Sequence, residues 1–343
     1  MKKPETTSTS VKPTTRTAKV QSGISKKPGL KKTGPRAKSV QAELKTFRPR
    51  RDLKLMAVNR LVQFKLGPRK QHWGRLMTAH QIGMLVGPRG KGKTWFGLGL
   101  AAAMSTGMSF LGHAPRNPRR VCYLDGEMDF ATLQARIKAI YNGFQAKFSD
   151  KLKLFTPELF TDLLPAINTP EGQKLVDEMI GKEWDVLIID NYSAWSSDGR
   201  ETSESWVPLM RWMLSHKHAG RSVIIVHHTG KNGQQRGSSR HEDALDWSIT
   251  LKPIESTERD DALRFVLEWK KCRNLTQKET PPISVCMEKA EDGRLTWSWT
   301  PGGIANPDVA KAHKLKASGM PVGEIAKELG VNRTTVTRWT KEK

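Results

Sequence analysis

From about residue 53 to residue 300, short unbroken apolar runs alternate with longer stretches in which apolar positions recur every three or four residues. The first four runs are 82–86 (IGMLV), 121–125 (VCYLD), 185–190 (DVLIID) and 222–227 (SVIIVH). Runs of this length predict strands buried on both faces. Helical patterns fill the intervals at 95–106, 129–147 and 206–219. Strand, crossover and strand at this spacing predict an α/β fold, a mainly parallel sheet with helices on both faces. Later runs at 246–252, 263–271, 283–289 and 295–299 have no long helices between them. They are predicted to extend the sheet in antiparallel fashion, through hairpins such as the Glu-Asp-Gly-Arg turn at 291–294.

Beyond Asn306-Pro307 the pattern changes. Helical repeats at 308–317, 322–329 and 333–341 are divided by Gly319-Met-Pro321 and Gly330-Val331. The last two helices and their short turn have helix-turn-helix spacing. Ile325, Ala326, Leu329, Val331, Val336 and Trp339 form the predicted core of this small all-α unit. Domains are therefore expected at 52–303 and 304–343. Residues 1–51 are Lys, Thr, Ser and Pro with almost no large apolar side chain, so they are expected to be a disordered basic tail. There are no internal repeats.

The charge changes the picture. The formal net charge of the 343-residue chain is +24. Residues 1–51 hold 15 Lys/Arg against 2 Asp/Glu, a net +13, which leaves +11 on the remainder. The ordered part is thus basic as well and expects a polyanion, with nucleic acid the first candidate. Cys122, Cys272 and Cys286 lie far apart without a Cys-x-x-Cys, which speaks against a disulfide framework or structural zinc and fits a reducing cytoplasm. No apolar run approaches a membrane span, and the basic N-terminus lacks the apolar core of a signal peptide.

Between the first strand and its helix stands Gly87-Pro88-Arg89-Gly90-Lys91-Gly92-Lys93-Thr94-Trp95, which fits Gly-x4-Gly-Lys-[Ser/Thr]. Its glycines let the backbone fold tightly enough to aim N–H groups at phosphate oxygens, and the helix N-terminus adds partial positive charge. Lys93 is expected on the β/γ-phosphates of ATP, and the Thr94 hydroxyl on Mg²⁺. The apolar strand 185–190 ends in Asp190, an acid placed to hold Mg²⁺ through water. Strand 121–125 ends in Asp125-Gly-Glu127; Glu127 is the better candidate for the base that activates water, with Asp125 second. Strand 222–227 runs into His227-His228, either of which could contact a γ-phosphate; alternation sends their side chains to opposite faces. The Gly-rich, acid-free loop 229–240 offers Lys231, Arg236 and Arg240 to a nucleic-acid path, or is simply solvated. Trp269-Lys-Lys271-Cys-Arg273-Asn274 ends a strand with two cations spaced one apart, as a trans-acting finger pair would be presented.

Together GPRGKGKT, YLDGE, LIIDN, IIVHHTGKN…RGSS and WKKCRN resemble the RepA-type plasmid replicative helicases, members of the RecA/DnaB-like hexameric ATPases. The resemblance covers roughly residues 55–300. It implies a RecA-like P-loop core, a hexameric ring of identical subunits, and ATP hydrolysis at subunit interfaces. It also implies Glu127 as base, His228 as γ-phosphate sensor, Lys271 and Arg273 reaching a neighbour's nucleotide, and loop 229–240 on single-stranded DNA in the channel. The terminal segment ASGMPVGEIAKELGVNRTTVTRW resembles the helix-turn-helix of serine recombinases of the Hin and resolvase type. By analogy Asn332, Arg333, Thr334, Thr335 and Arg338 contact double-stranded DNA in the major groove. The expected function is therefore a DNA-binding ring ATPase and replicative helicase of a mobile element. The alternative is an ATP-switched regulator or helicase loader without unwinding activity. A metabolic nucleotide kinase would leave the basic charge and the terminal unit without a task.

Overall fold

A computed structural model describes residues 57–63, 67–160, 162–196, 203–229, 243–254, 262–302 and 307–340. The expected tail 1–51 lies outside the described residues. The chain divides into two units, residues 1–66 and 67–343. In the first, Val58–Gln63 is a short helix, α1.

The second unit is built on a nine-stranded sheet. After a small hairpin, β1 (Gln71–Trp73) and β2 (Met77–Thr78), come β3 (Ile82–Gly87), β4 (Val121–Asp125), β5 (Leu152–Phe155), β6 (Val186–Asp190) and β7 (Ser222–His228). They are followed by β8 (Trp247–Pro253), β9 (Leu263–Cys272), β10 (Ile283–Lys289) and β11 (Leu295–Pro301). The spatial order is β11-β10-β9-β8-β3-β7-β6-β4-β5. Every pair from β8 through β3, β7, β6 and β4 to β5 is parallel. β8–β9, β9–β10 and β10–β11 are antiparallel. The expected parallel sheet with an antiparallel extension is present, with one correction. β8 was grouped with the antiparallel strands, yet it pairs parallel to β3, Gly83 facing Trp247, and only its other edge is antiparallel. In the sequence, the Gly-rich stretch 229–240 before this run shows no helical periodicity, so the run lacked the spacing that marks a crossover.

Alternation along the strands sorts side chains into two apolar layers. Val121 and Tyr123 of β4, Val186 and Ile188 of β6, and Ile224 and Val226 of β7 lie in one. Cys122, Leu124, Leu187, Ile189, Val223 and Ile225 lie in the other. The first layer is closed by α2 (Lys93–Thr106) and α3 (Phe130–Phe144), the second by α4 (Pro170–Ile180) and α6 (Ser203–His218); the short α5 (Tyr192–Trp195) follows β6. Burial on both faces is why β3, β6 and β7 are buried at every residue and read as unbroken apolar runs. α3 starts at Asp129, whose side chain accepts from Thr132 N at 2.7 Å. α2 ends at Gly107, whose N–H returns to Ala103 O from a left-handed conformation.

The last 34 described residues form α7 (Pro307–Ala317), α8 (Val322–Glu328) and α9 (Arg333–Thr340). They share a core of Ala312, Ile325, Ala326, Leu329 and Val336, with Val331 and Trp339 packed against it.

Candidate nucleotide-binding site

The loop between β3 and α2 turns on Gly90 (φ 68°) and Gly92 (φ 97°), both in the left-handed region that glycine occupies without steric cost. Gly92 caps α2 and offers no side-chain acceptor, so the first-turn N–H groups have no capping side chain. Those donors and the helix dipole make the turn a receptor for anions. Lys93, buried, donates its Nζ to Pro88 O at 2.7 Å. Burial brings its ammonium down to about 8, against the pull of Asp190 and Glu127. An arriving phosphate would offset that desolvation and restore the full charge.

A cavity of about 400 Å³ opens on this turn. Arg89, Gly90, Gly92, Lys93, Thr94 and Trp95 form its floor; Asp125, Glu127, Met128, Arg136, His228 and Leu263 form its walls. Its size suits a nucleotide's phosphates and part of its base.

Period two fixes which acids and which histidine face it. Asp190 and Asp125 end neighbouring strands in register, on the α2 side of the sheet. Asp190 accepts from Tyr123 Oη at 2.6 Å and is hydrogen-bonded to the Thr94 side chain. Burial holds its carboxyl above the usual range. Asp125 accepts the N–H groups of Glu127 (3.2 Å) and Met128 (2.7 Å) on a single oxygen, Oδ2, so it shapes the turn that carries Glu127. Burial pushes it up to about 7, offset in part by those N–H donors and augmented by the charge of Asp190. His228 lines the cavity with Nε2 3.6 Å from Glu127 Oε1, an ion-pair separation too long for a hydrogen bond. Burial first, then Lys93, lower its pKa and keep the ring neutral. His227 points into the other layer, its Nδ1 2.8 Å from His228 O and its ring stacked on Tyr192. The structure therefore brings His228, not His227, to the phosphate turn.

Lys271 and Arg273 stand elsewhere. Lys271 pairs with Ser248 and Cys272 with Trp247, at the start of β8, and Trp247 lies opposite Gly83. The phosphate turn follows the other end of β3, four residues on, so about 13 Å of strand separates the two. Arg273 is exposed and its guanidinium donates to Asp243 O. Neither cation belongs to the cavity of its own chain. In the terminal unit Asn332, Arg333 and Thr334 are exposed at the start of α9 and Thr335 is half-buried. Lys231, Arg236 and Arg240, and the side chain of Arg338, lie outside the described residues.

Sequence reasoning missed several contributors. Arg136 sits over the Trp95 ring at 4.7 Å and reaches the cavity from α3. Met128 and Leu263 are cavity walls, and Tyr123 holds Asp190. Only the parity of Tyr123 with Asp125 on β4 could have pointed to it.

Residues 49–234, more than half of the chain, match the AAA domain family. The chain belongs to that family. Among solved structures, this AAA protein is similar to the flagellar accessory protein FlaH of Methanocaldococcus jannaschii, at 14% identity and TM-score 0.43 over 65% of this chain and 90% of that one. It is also similar to a KaiC-like protein of Pyrococcus horikoshii OT3, at 15% identity and TM-score 0.45 over 65% and 91%. No curated protein matches it. The family match ends before β8, so the antiparallel extension and the terminal helices lie outside it.

An AAA domain that carries this phosphate loop implies a nucleotide and Mg²⁺, and the donor set fits both. Thr94 Oγ1 and the Asp190 carboxylate are hard oxygen ligands of the type Mg²⁺ takes. Two buried carboxylates on adjacent strands, both held above their usual pKa, are the environment a divalent cation relieves. Among the described residues no cluster of three or more His, Cys, Asp and Glu could hold a metal by itself. No described helix is long and apolar enough to cross a membrane.

Proposed function

We propose that this protein is an ATP-hydrolysing, DNA-binding ring ATPase, a replicative helicase of the RepA-type kind. The observation that carries the reading is the meeting of Lys93, Asp190, Glu127 and His228 around one phosphate turn. Lys93 and the first-turn amides bind the β- and γ-phosphates. Thr94 would hold Mg²⁺ through its hydroxyl and Asp190 through water, and the ion would supply neutralisation of charge that develops on the phosphoryl oxygens. Glu127, with its carboxylate half-exposed at the mouth, accepts the proton of the attacking water as ATP and water become ADP and phosphate. His228, neutral, donates a hydrogen bond to the γ-phosphate and, through Glu127, registers its loss.

Lys271 and Arg273 lie too far from their own cavity to serve it, which supports their action on a neighbouring subunit's nucleotide in a hexameric ring. Loop 229–240, with Lys231, Arg236 and Arg240, follows His228 directly and is the segment proposed to touch single-stranded DNA. The exposed start of α9 favours a second DNA contact, with Asn332, Arg333, Thr334, Thr335 and Arg338 in the major groove of a duplex. That same feature supports the second reading, an ATP-switched regulator or helicase loader.

The test is to measure ATPase rate and assembly mass together, with and without single-stranded DNA. A ring whose turnover rises with DNA supports the motor. Binding of ATP and DNA without assembly or turnover selects the switch. Lys93→Ala should abolish turnover; wild-type turnover in that variant would refute the nucleotide site.

A further inference from the structure

Tyr123 lies wholly buried between the sheet and α2. Its hydroxyl needs an acceptor there, and the one it takes is Oδ2 of Asp190, at 2.6 Å, 67 residues away in sequence. Opposite the hydroxyl stands Gly97, in the second turn of α2. A Cβ on Gly97 would sit 3.2 Å from Tyr123 Oη, a tight contact from which the hydroxyl must give by a few tenths of an ångström. Glycine inside a helix costs about 1 kcal/mol relative to alanine, and here it clears the path of one hydroxyl.

The carboxylate of Asp190 thus has the Tyr123 hydroxyl on its core side and the Thr94 side chain on the cavity side. A carboxylate offers about four acceptor positions and can swing about its Cβ–Cγ bond. A donor on a ring locked in the core removes that freedom. We propose that Tyr123 is a positioning residue for Asp190. Its hydroxyl fixes the rotation of the carboxylate so that the remaining acceptor positions face Thr94 and a divalent cation, and Gly97 makes the room. This inference rests on the nucleotide reading given above. The role belongs to the group of outer contacts that orient metal ligands, whose loss typically costs ten- to a hundredfold in metal affinity.

The experiment uses the full-length protein with Mn²⁺ and ADP. Mn²⁺ affinity of the ADP complex is read by electron paramagnetic resonance, and ADP affinity in EDTA by calorimetry. Tyr123→Phe should weaken Mn²⁺ about tenfold and leave metal-free ADP binding within about twofold. Gly97→Ala, whose methyl pushes the hydroxyl aside while favouring the helix, should weaken Mn²⁺ in the same way. The double variant should be no worse than Tyr123→Phe alone, because the methyl then meets no hydroxyl. Should Tyr123→Phe unfold, as a melt would show, Gly97→Ala carries the test by itself. Unchanged Mn²⁺ affinity in the variant that folds, or losses that multiply in the double variant, would overturn the positioning role. A wild-type protein that binds neither ADP nor Mn²⁺–ADP would instead overturn the nucleotide reading beneath it.

Discussion

Replacing Asp125 with asparagine should stabilise the nucleotide-free protein, and more so as the pH rises. In the folded chain burial holds the Asp125 carboxyl at about 7, against 3.8 for the ordinary group. An acid whose pKa is raised by folding contributes its full stability below the unfolded value. It loses that contribution as pH climbs to the folded value, because the unfolded chain gives up the proton first. A tenfold difference in proton affinity between the two states is worth about 1.4 kcal/mol, and the folded group is itself half ionised at pH 7, so the penalty grows by about 2 kcal/mol between pH 5 and pH 7. The cavity that Asp125 faces admits water, which trims this to about 1.5 kcal/mol at the least. Asparagine carries no such charge. It can also keep the turn, because both N–H donors, from Glu127 and Met128, go to the one oxygen that its carbonyl replaces.

The assay is thermal unfolding of both proteins in EDTA from pH 5 to 7, where Lys93, at about 8, keeps most of its charge. Other titrating groups, such as buried His72 held at about 3, cancel in the difference between the two curves. Asp125→Asn should gain on the wild type by roughly 3 to 10 °C in melting temperature across that window. Parallel curves would refute the reasoning, since they would mean that Asp125 is ionised in the folded protein throughout.

Three further outcomes follow from the proposed function. Glu127→Gln should keep ATP affinity within about threefold and lower turnover by about a hundredfold or more, read by calorimetry and phosphate release. Arg273→Ala should leave nucleotide binding unchanged and remove turnover; mixing it with Lys93→Ala subunits should restore part of the activity if the residue acts across an interface, and a fully active Arg273→Ala protein would sink that assignment. Arg333→Ala should weaken binding of the full chain to its duplex site by about 1–3 kcal/mol, seen as a shift in fluorescence anisotropy, and leave DNA-independent ATP hydrolysis as it was.

The strands that matter most were legible because they are buried on both faces. The run at 121–125 coincides with β4, and the runs at 82–86, 185–190 and 222–227 come within one residue of β3, β6 and β7 at each end. β5 was not read, because at the sheet's border only Phe155 of its four residues is buried and no unbroken apolar run forms. α4 was missed although Thr169-Pro170-Glu171 is a strong start: Thr169 accepts from Gly172 N, and Pro170 stands at the first helical position. Its apolar face is thin, with Val176 its only buried large side chain, and the periodicity is correspondingly faint.

The site shows the same division more sharply. The identity of the phosphate-facing histidine was half-present in the sequence, since adjacent strand residues must face opposite ways. What the sequence lacked was the phase, that is, which face of β7 looks toward α2. Ile224 and Val226 share a layer with Phe96 and Leu98 of α2, so the next residue of that parity, His228, must face the phosphate turn. The same parity puts Tyr123 and Asp125 beside Asp190. A single contact between one strand and one helix therefore assigns three strand ends at once. Lys271 and Arg273 escape this rule because they end a strand that runs the other way. An antiparallel neighbour delivers its last residues to the opposite rim of the sheet, away from the phosphate turn of its own chain.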